Sequence, residues 1–320
     1  MSDNRPVVPI AAAELDRLLD ALMVEFVRLS ECLVGEGYRL ELGGIDAPGL
    51  HYNLSGNGRL IVGNREPIPL QPHTLVVLPA NTLFRIEVPS RRGPRGTWRT
   101  VNGRSMPSEP GAVRRYVAND GEPVIVLICG YFHASYGAST DLFGTLKGPI
   151  VEQFEEGDQV DGTLRTALAE LVAQEVGFGA MSAALLKQVI VALLRRSLRS
   201  MDLWVERFSL LSDPQIARAF AEMVAHPGAR HSVNSLARSA FLSRSAFVAR
   251  FCSVVGRSPM MILRDLRMRQ AADHLRSTTM TIDEVGRHAG YASRSSFVRA
   301  FRKAHGCDPA SYRRSHARSE

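Results

Sequence analysis

The feature that most constrains this chain is a phrase that occurs twice. Residues 241–251 read FLSRSAFVARF, and residues 291–301 read YASRSSFVRAF. Six of the eleven positions are identical: Ser243/Ser293, Arg244/Arg294, Ser245/Ser295, Phe247/Phe297, Val248/Val298 and Phe251/Phe301. A phrase repeated at a spacing of 50 residues builds one local unit twice. The copies part company at their ninth and tenth letters, AR in one and RA in the other.

Each copy reads as helix, tight turn, helix. In the first, VNSLARSA (233–240) turns Leu236, Ala237 and Ala240 inward, Phe241 and Leu242 make the turn, and Ser243 is placed to cap the next helix. That helix starts at Arg244, buries Phe247 and Phe251, and ends at Gly256. The second copy follows the same plan: TIDEVGRHA, the turn GYA, the cap Ser293, a helix over 294–304 and Gly306. At about 100° per residue, Ser245, Ala249 and Cys252 lie opposite the two Phe of the first copy, with Val248 at the flank. Ser295, Arg299 and Arg302 take the same face in the second, with Val298 at the flank. Small and basic residues on an exposed helix face, braced by a preceding helix, suit the DNA major groove. PMMILRDLRMRQAADHLRS (259–277) between the copies predicts one helix with Leu263, Leu266, Ala271 and Leu275 inward. At about 1.5 Å per residue it spans roughly 27 Å, near the ~34 Å that separates successive major grooves on one face of DNA.

Charge points the same way. Residues 212–320 hold 18 Lys+Arg against 8 Asp+Glu, a balance of +10, which leaves the first 211 residues at −3 within a total of +7. All the excess positive charge sits in the last third, as expected of a polyanion-binding domain.

Ahead of it the pattern differs. Residues 12–30 carry Leu15, Leu18, Leu19, Leu22, Phe26 and Leu29 at helical spacing. From about 38 to 128 come short β-rich runs divided by turn letters: LHYNL, RLIV, TLVVLP, LFRIEV, VRRYV and PVIVLI. Strands at this spacing predict an antiparallel sandwich or barrel. The Gly-, Pro- and Arg-rich segment 89–111 is expected to be a long loop, with Arg91, Arg92, Arg95, Arg99 and Arg104 in solvent. The helical period returns at 162–200, carried first by Leu164, Leu168, Leu171 and Val172. It continues with Leu185, Leu186, Val189, Ile190, Leu193 and Leu194, as a core or a dimer seam. No stretch approaches the roughly 20 uncharged apolar residues of a membrane helix. The N-terminal MSDNRPVVPIAAAELDRL lacks a basic segment followed by an apolar one, so no secretory signal is expected, and the cysteine usage fits a reducing cytoplasm. Cys32, Cys129, Cys252 and Cys307 are scattered without a CxxC pair, which predicts neither a zinc site nor a disulfide framework.

Residues 213–316 closely resemble the DNA-binding domain of AraC/XylS-type transcription regulators. The stretches that carry the resemblance are LARSAFLSRSAFVARFCSVVGRSPMMILRDLRMRQAADHLR and IDEVGRHAGYASRSSFVRAFRKAHGCDPASYRR, in the family's order. The resemblance implies that Arg244, Ser245, Val248 and Ala249 of one copy, and Arg294, Ser295, Val298 and Arg299 of the other, enter the groove. Of the two ninth letters, only Arg299 can make a paired bond to guanine; Ala249 can contact at most a thymine methyl. Arg250 falls on the flank, where packing or a phosphate contact is expected. Arg267, Arg269 and Arg302 are candidate phosphate contacts.

The β-rich stretch 50–88 resembles the cupin-type barrel of many such regulators, and LICGYF (127–132) resembles the segment that closes it. The expected fold class is therefore α+β. A cupin-like β-barrel with helices occupies 1–200, 201–212 is a linker, and 213–320 is all-α. The latter holds helix-turn-helix units at 233–253 and 281–304, joined by the helix 259–277. The resemblance implies double-stranded promoter DNA as partner, RNA polymerase contact, homodimerisation, an activator's role, and a small-molecule effector in the barrel. His51, Tyr52, Phe84, Tyr131 and Phe132 are the candidate effector-pocket residues, and core packing explains the same aromatics. A cupin-type metal enzyme fused to a DNA-binding domain is the alternative. His51, His73 and His133 form no HxH pair and have no nearby acidic partner in sequence, so neither a metal, a cofactor nor a catalytic residue is expected. A cysteine methyl-acceptor of the DNA-repair type finds no zinc-type cysteine spacing here.

Overall fold

Period-two alternation gives the first half of the chain two faces, and the fold uses both. The computed structural model describes residues 11–90, 97–105, 114–136, 140–144, 146, 148–173, 175–200, 210 and 213–317. One sheet has the order β12-β6-β3-β10-β1-β9, with β11 paired to β10. Its strands are β1 (Met23–Val34), β3 (Gly49–Ser55), β6 (Thr74–Leu78), β9 (Arg114–Ala118), β10 (Ile125–Tyr136), β11 (Thr140–Asp141) and β12 (Ile150–Gln153). The second sheet has the order β5-β4-β7-β2-β8. It is built from β2 (Tyr38–Gly43), β4 (Gly58–Val62), β5 (Ile68–Leu70), β7 (Leu83–Glu87) and β8 (Arg99–Asn102). Alternate side chains of both sheets meet in one apolar core: Cys32, Val34, Val76, Leu127 and Cys129 from the first, Leu40, Leu60, Phe84 and Ile86 from the second.

The other face of the first sheet is covered by helices. α2 (Gln159–Ala173) packs against α3 (Phe178–Ser200), and both lie on β1. A Cβ at Gly130 of β10 would press on Leu29 and on Leu186 of α3 at 3.2 and 3.7 Å, so the strand is buried on both faces. α3 is long and apolar enough over Phe178–Arg196 to cross a membrane, which the sequence reading did not expect. Its Leu186, Val189, Ile190, Leu193 and Leu194 are buried within the protein.

On the outer face of the second sheet, Arg39, Arg59 and Arg85 converge on Glu87. The cross-strand register places Arg39 and Arg59 directly opposite it. The nearest contacts are 2.7, 2.8 and 2.9 Å, and the Glu87 side chain is 1% exposed. Trp98 covers two of the guanidinium groups.

The structure departs from the sequence reading at both ends of this region. The helix expected over 12–30 is α1 (Ala12–Ala21) only; from Met23 the chain is strand. MVEFVRLS fits a pleated strand as well as a helix, and its continuation pairs in parallel with β9 from Ser30 to Val34. Tertiary pairing overrides a helical period of this length. The long loop expected over 89–111 contains β8 and a short 3-10 turn, Gly103–Ser105. Two of its arginines are engaged, Arg99 with Asp120 and Arg104 with Glu41. Arg91, Arg92 and Arg95 lie outside the described residues, as do 201–209, 211 and 212 of the expected linker.

The chain divides into two units. One is the barrel with its helices, Met23–Ala134 and Phe143–Arg207; the other joins Met1–Leu22 and Ser135–Leu142 to Phe208–Glu320. α1 therefore groups with the C-terminal unit and not with the first 200 residues. It packs on α4 (Pro214–Ala225) through buried Leu15, Leu18, Leu19 and Leu22. Arg218 donates to Glu14 at 2.5 Å, and Arg17 faces Glu222 at 3.7 Å.

The helices of the C-terminal unit follow the repeat. They are α5 (Val233–Ser239), α6 (Arg244–Val255), α7 (Pro259–Ser277), α8 (Ile282–His288), α9 (Arg294–His305) and α10 (Pro309–Ala317). Ser243 Oγ accepts the Ala246 N–H and Ser293 Oγ the Ser296 N–H, both at 3.3 Å. Such caps contribute about 1 kcal/mol each. Gly256 and Gly306 close the reading helices at φ 79° and 75°, where a left-handed backbone favours glycine. Phe247, Phe251, Phe297 and Phe301 are fully buried.

Candidate nucleic-acid interface

Burying Phe297 and Phe301 fixes the rotation of α9. Midway between them is the core direction, and Arg299 lies about 180° from it. The structure leaves Arg294, Ser295, Arg299, Arg302 and Lys303 exposed and Val298 half-buried. These six side chains line a shallow concavity of about 870 Å³. Arg294 faces Asp283 at 3.5 Å; Arg299, Arg302 and Lys303 have no ion pair among the described residues. Three unpaired cations on one helix face are an electrostatic footprint for phosphate.

α6 has the same rotation and different chemistry. Arg244, Ser245 and Ala249 are exposed, and Val248 is half-buried. The arginine displaced by one letter, Arg250, is exposed but engaged within the protein. It bonds Asp213, the N-cap of α4, and donates to Gln215 Oε1 at 2.8 Å. Asp213 also accepts the Ile216 N–H at 3.2 Å, so one carboxylate caps a helix and anchors α6. The two letters exchanged between the copies thus separate an outward arginine from a structural one. Arg267 is likewise engaged: it donates to the carbonyls of Pro227 and Ala229, both at 2.8 Å, and its pKa is lowered by burial. It therefore braces the fold through these two carbonyls.

The turns also differ. The supporting helices superimpose with an offset of 49 and the reading helices with 50, because Ala292 is an extra residue in the second turn. The left-handed turn position is Gly290 there, at φ 77°, but Phe241 in the first copy, at φ 54°. The exposed Phe241 ring has the Arg218 guanidinium 5.2 Å above it. A bulky residue in this backbone region costs about 1–2 kcal/mol.

The five residues expected to line an effector pocket come from both sheets and divide between the barrel interior and the helix side of the first sheet. His51, Phe84 and Tyr131 come together inside the barrel, with ring centroids 4.5 Å (His51–Phe84) and 5.8 Å (His51–Tyr131) apart. Tyr52 and Phe132, one residue along their strands, point to the helix side. Tyr52 donates to Asp161 of α2 at 2.9 Å, and Phe132 packs on Phe143 at 5.1 Å. A cavity of about 480 Å³ does open into the barrel, past Arg28, Ser30, Arg114, Tyr116, Cys129 and Tyr131. Of the five, only Tyr131 lines it.

Sequence reasoning missed two buried polar groups. The first is Tyr52, His73, Asp161 and Arg165: His73 Nδ1 lies 3.1 Å from Asp161 Oδ1, and Arg165 donates to Oδ2 at 2.9 Å. Burial raises the Asp161 pKa, but hydrogen bonds from Arg165, Tyr52 and His73 outweigh it and hold the carboxyl below its usual range. The second is a dithiol. Cys32 Sγ donates to Cys129 Sγ at 3.2 Å, and the two are 0% and 1% exposed. The Asp161–Arg165 pair has the i,i+4 spacing of a helix, but only tertiary packing brings it to Tyr52 and His73, and only strand pairing brings Cys32 to Cys129. Among the described residues, no three His, Cys, Asp or Glu side chains converge in a metal-binding arrangement.

Residues 236–315 match a helix-turn-helix domain family, and residues 34–199 match a cupin family. The chain is 37% identical over 105 residues to the RCS-specific HTH-type transcriptional activator RclR of Escherichia coli K12, covering 33% of this chain and 37% of the relative. It is 32% identical over 103 residues to the HTH-type transcriptional regulator AlkR of Acinetobacter baylyi, covering 32% and 34%. The chain thus spans about a third of the length of these two relatives. Among solved structures, the DNA-binding domain of AdpA in complex with a target DNA is 31% identical, with 34% of this chain and 96% of that one covered and a TM-score of 0.32. The cupin match extends over more than half of the chain, which therefore belongs to that cupin family, with a helix-turn-helix domain after it that is similar to those of AraC-like transcription regulators.

Proposed function

We propose that this chain is a cytoplasmic regulator that binds a specific promoter site through α6 and α9 and takes its signal from the barrel. The observation that carries the reading is the exposed face of α9, where Arg299, Arg302 and Lys303 have no ion pair among the described residues, while Arg250 is paired with Asp213 and Arg267 bonds backbone carbonyls. Arg294, Ser295, Val298 and Arg299 read bases or position the helix, as do Arg244, Ser245, Val248 and Ala249 in α6. Arg299 makes the paired bond to guanine, and Arg302 and Lys303 bind phosphate. Arg244→Ala weakens binding to every sequence and lowers the slope of log K against log salt by about 0.9.

In this reading the first 200 residues, less α1, sense and dimerise, and a small effector occupies the cavity beside Tyr131. A volume of about 480 Å³ is in the range of small-molecule sites. The protein acts as a homodimeric activator that contacts RNA polymerase, and it performs no catalysis. A selection from random DNA with the full chain tests the reading: one enriched motif is expected, and enrichment of none refutes it. Stoichiometric metal in the purified protein would favour the enzyme alternative.

A further inference from the structure

The barrel cavity beside Tyr131 also reaches a pair of thiols. Cys32 on β1 and Cys129 on β10 belong to neighbouring strands, both point into the barrel core, and their sulfurs are 3.2 Å apart. The register of β3 on β10 sets His51 directly opposite Cys129, so the three side chains form a row across three strands. His51 is fully buried between Phe84 and Tyr131, and neither ring nitrogen has a hydrogen-bond partner. Leaving such a buried group unsatisfied is costly, which chemistry at the neighbouring sulfur would justify.

We propose that Cys129 and Cys32 are an oxidation site for small neutral two-electron oxidants, hydroperoxides or hypohalous acids, with Cys129 as the attacking sulfur and Cys32 as the resolving one. Access assigns the roles: the cavity of about 480 Å³ reaches Cys129, whereas Cys32 does not line it. The donor direction agrees. The Cys32 S–H bonds to Cys129 and lowers its pKa against the opposing effect of burial, with the nearby His51 imidazole acting the same way. Burial pushes the Cys32 thiol up, so it keeps its proton.

The step balances. The Cys129 thiolate attacks one oxygen of hydrogen peroxide; the S–O bond forms, the O–O bond breaks, and hydroxide leaves and takes up the thiol proton as water. With hypochlorous acid the thiolate attacks chlorine, the Cl–O bond breaks, and hydroxide again leaves as water. The Cys32 sulfur then attacks Cys129. The S–S bond forms, the S–O or S–Cl bond breaks, and the Cys32 proton departs with the leaving group as water or hydrogen chloride. Two thiols lose two electrons and one oxidant gains them. Bond formation draws the sulfurs in to about 2.05 Å, a movement of about 1.1 Å.

The consequence follows from chain connectivity and rests on the DNA-binding reading above. β1 begins where Met1–Leu22 ends, and β10 runs into Ser135–Leu142; both segments belong to the unit that carries the helix-turn-helix pairs. The strands drawn together by the disulfide are therefore the two whose ends continue into the reading unit.

The test uses the reduced full chain, treated with one equivalent of hydrogen peroxide or of hypochlorous acid. At least one oxidant should remove two hydrogens from the intact mass and yield a Cys32–Cys129 linked peptide. Cys32→Ser should stop at a sulfenic acid on Cys129 that dimedone traps, and Cys129→Ser should leave Cys32 alkylatable. Cys32→Ala and Cys129→Ala serve where the serine variants do not fold. Oxidation confined to Cys252 and Cys307 under both oxidants would overturn the proposal. Operator affinity of the oxidised and reduced chain should differ by about 5- to 150-fold, a difference lost in Cys32→Ser; equal affinities would overturn the coupling. Absence of specific DNA binding in both states would sink the DNA reading and leave the dithiol, settled by mass, standing.

Discussion

Exchanging two letters between the copies should separate two measurable quantities. Arg299→Ala removes an exposed guanidinium with no intramolecular partner among the described residues, so folding should change little. What it removes is a paired bond to one base, worth about 1–3 kcal/mol of discrimination. At about 1.4 kcal/mol per tenfold, the ratio of operator to scrambled-DNA affinity should fall by roughly 5- to 150-fold. Arg250→Ala should do the reverse. It strips the buried Asp213 of its cation and Gln215 of a donor, and about 1–2 kcal/mol of stability goes with them, while the affinity ratio holds. Fluorescence anisotropy on both DNAs across a salt series, with urea melts of each variant, measures all of this. If Arg299→Ala weakens both DNAs by the same factor and lowers the salt slope by about 0.9, Arg299 binds phosphate and the base-reading assignment is wrong.

Three further outcomes are expected. Phe241→Gly relieves a left-handed backbone and should stabilise the protein by about 1 kcal/mol in a urea melt; a loss of similar size would mean that the ring over Arg218 outweighs the strain. Asp161→Asn should lower Tm at pH 7. Because the folded pKa of Asp161 lies below its unfolded value, the carboxylate's contribution is whole above about pH 4 and fades as pH falls through the folded value. The Tm gap between wild type and variant should narrow accordingly, and a gap independent of pH refutes the linkage. Phe297→Ala empties a fully buried site and should cost about 3–5 kcal/mol in chemical denaturation, with specific DNA binding lost at the temperature where α9 unfolds. A cost under 1 kcal/mol would show that Phe297 does not hold the reading helix in place.

What the sequence made legible was whatever short-range pattern decides. The Ser caps, the paired Phe and the two C-terminal glycines fix each reading helix from within a dozen letters, and the face of α9 follows from rotation alone. Strand pairing is different in kind. Residues 23–30 read as helix because their apolar spacing fits one, and only pairing of β1 with strands far along the chain, β10 on one side and β9 from Ser30 onward on the other, decides otherwise. The effector-pocket residues divide between two faces for a related reason. Adjacent letters such as His51-Tyr52 and Tyr131-Phe132 look like one cluster, yet a pleat sends neighbours to opposite faces, and β10 is apolar on both. The meeting of Cys32 with Cys129, and of Arg250 with Asp213, depends on long-range placement that no spacing encodes. Both pairs join segments distant in sequence, the first binding β1 to β10 inside the barrel and the second anchoring α6 to the start of α4. The repeated phrase therefore says how the reading helices are built. The residues that tie down Arg250, and leave Arg299 without an ion pair among the described residues, distinguish the exposed faces of the two copies.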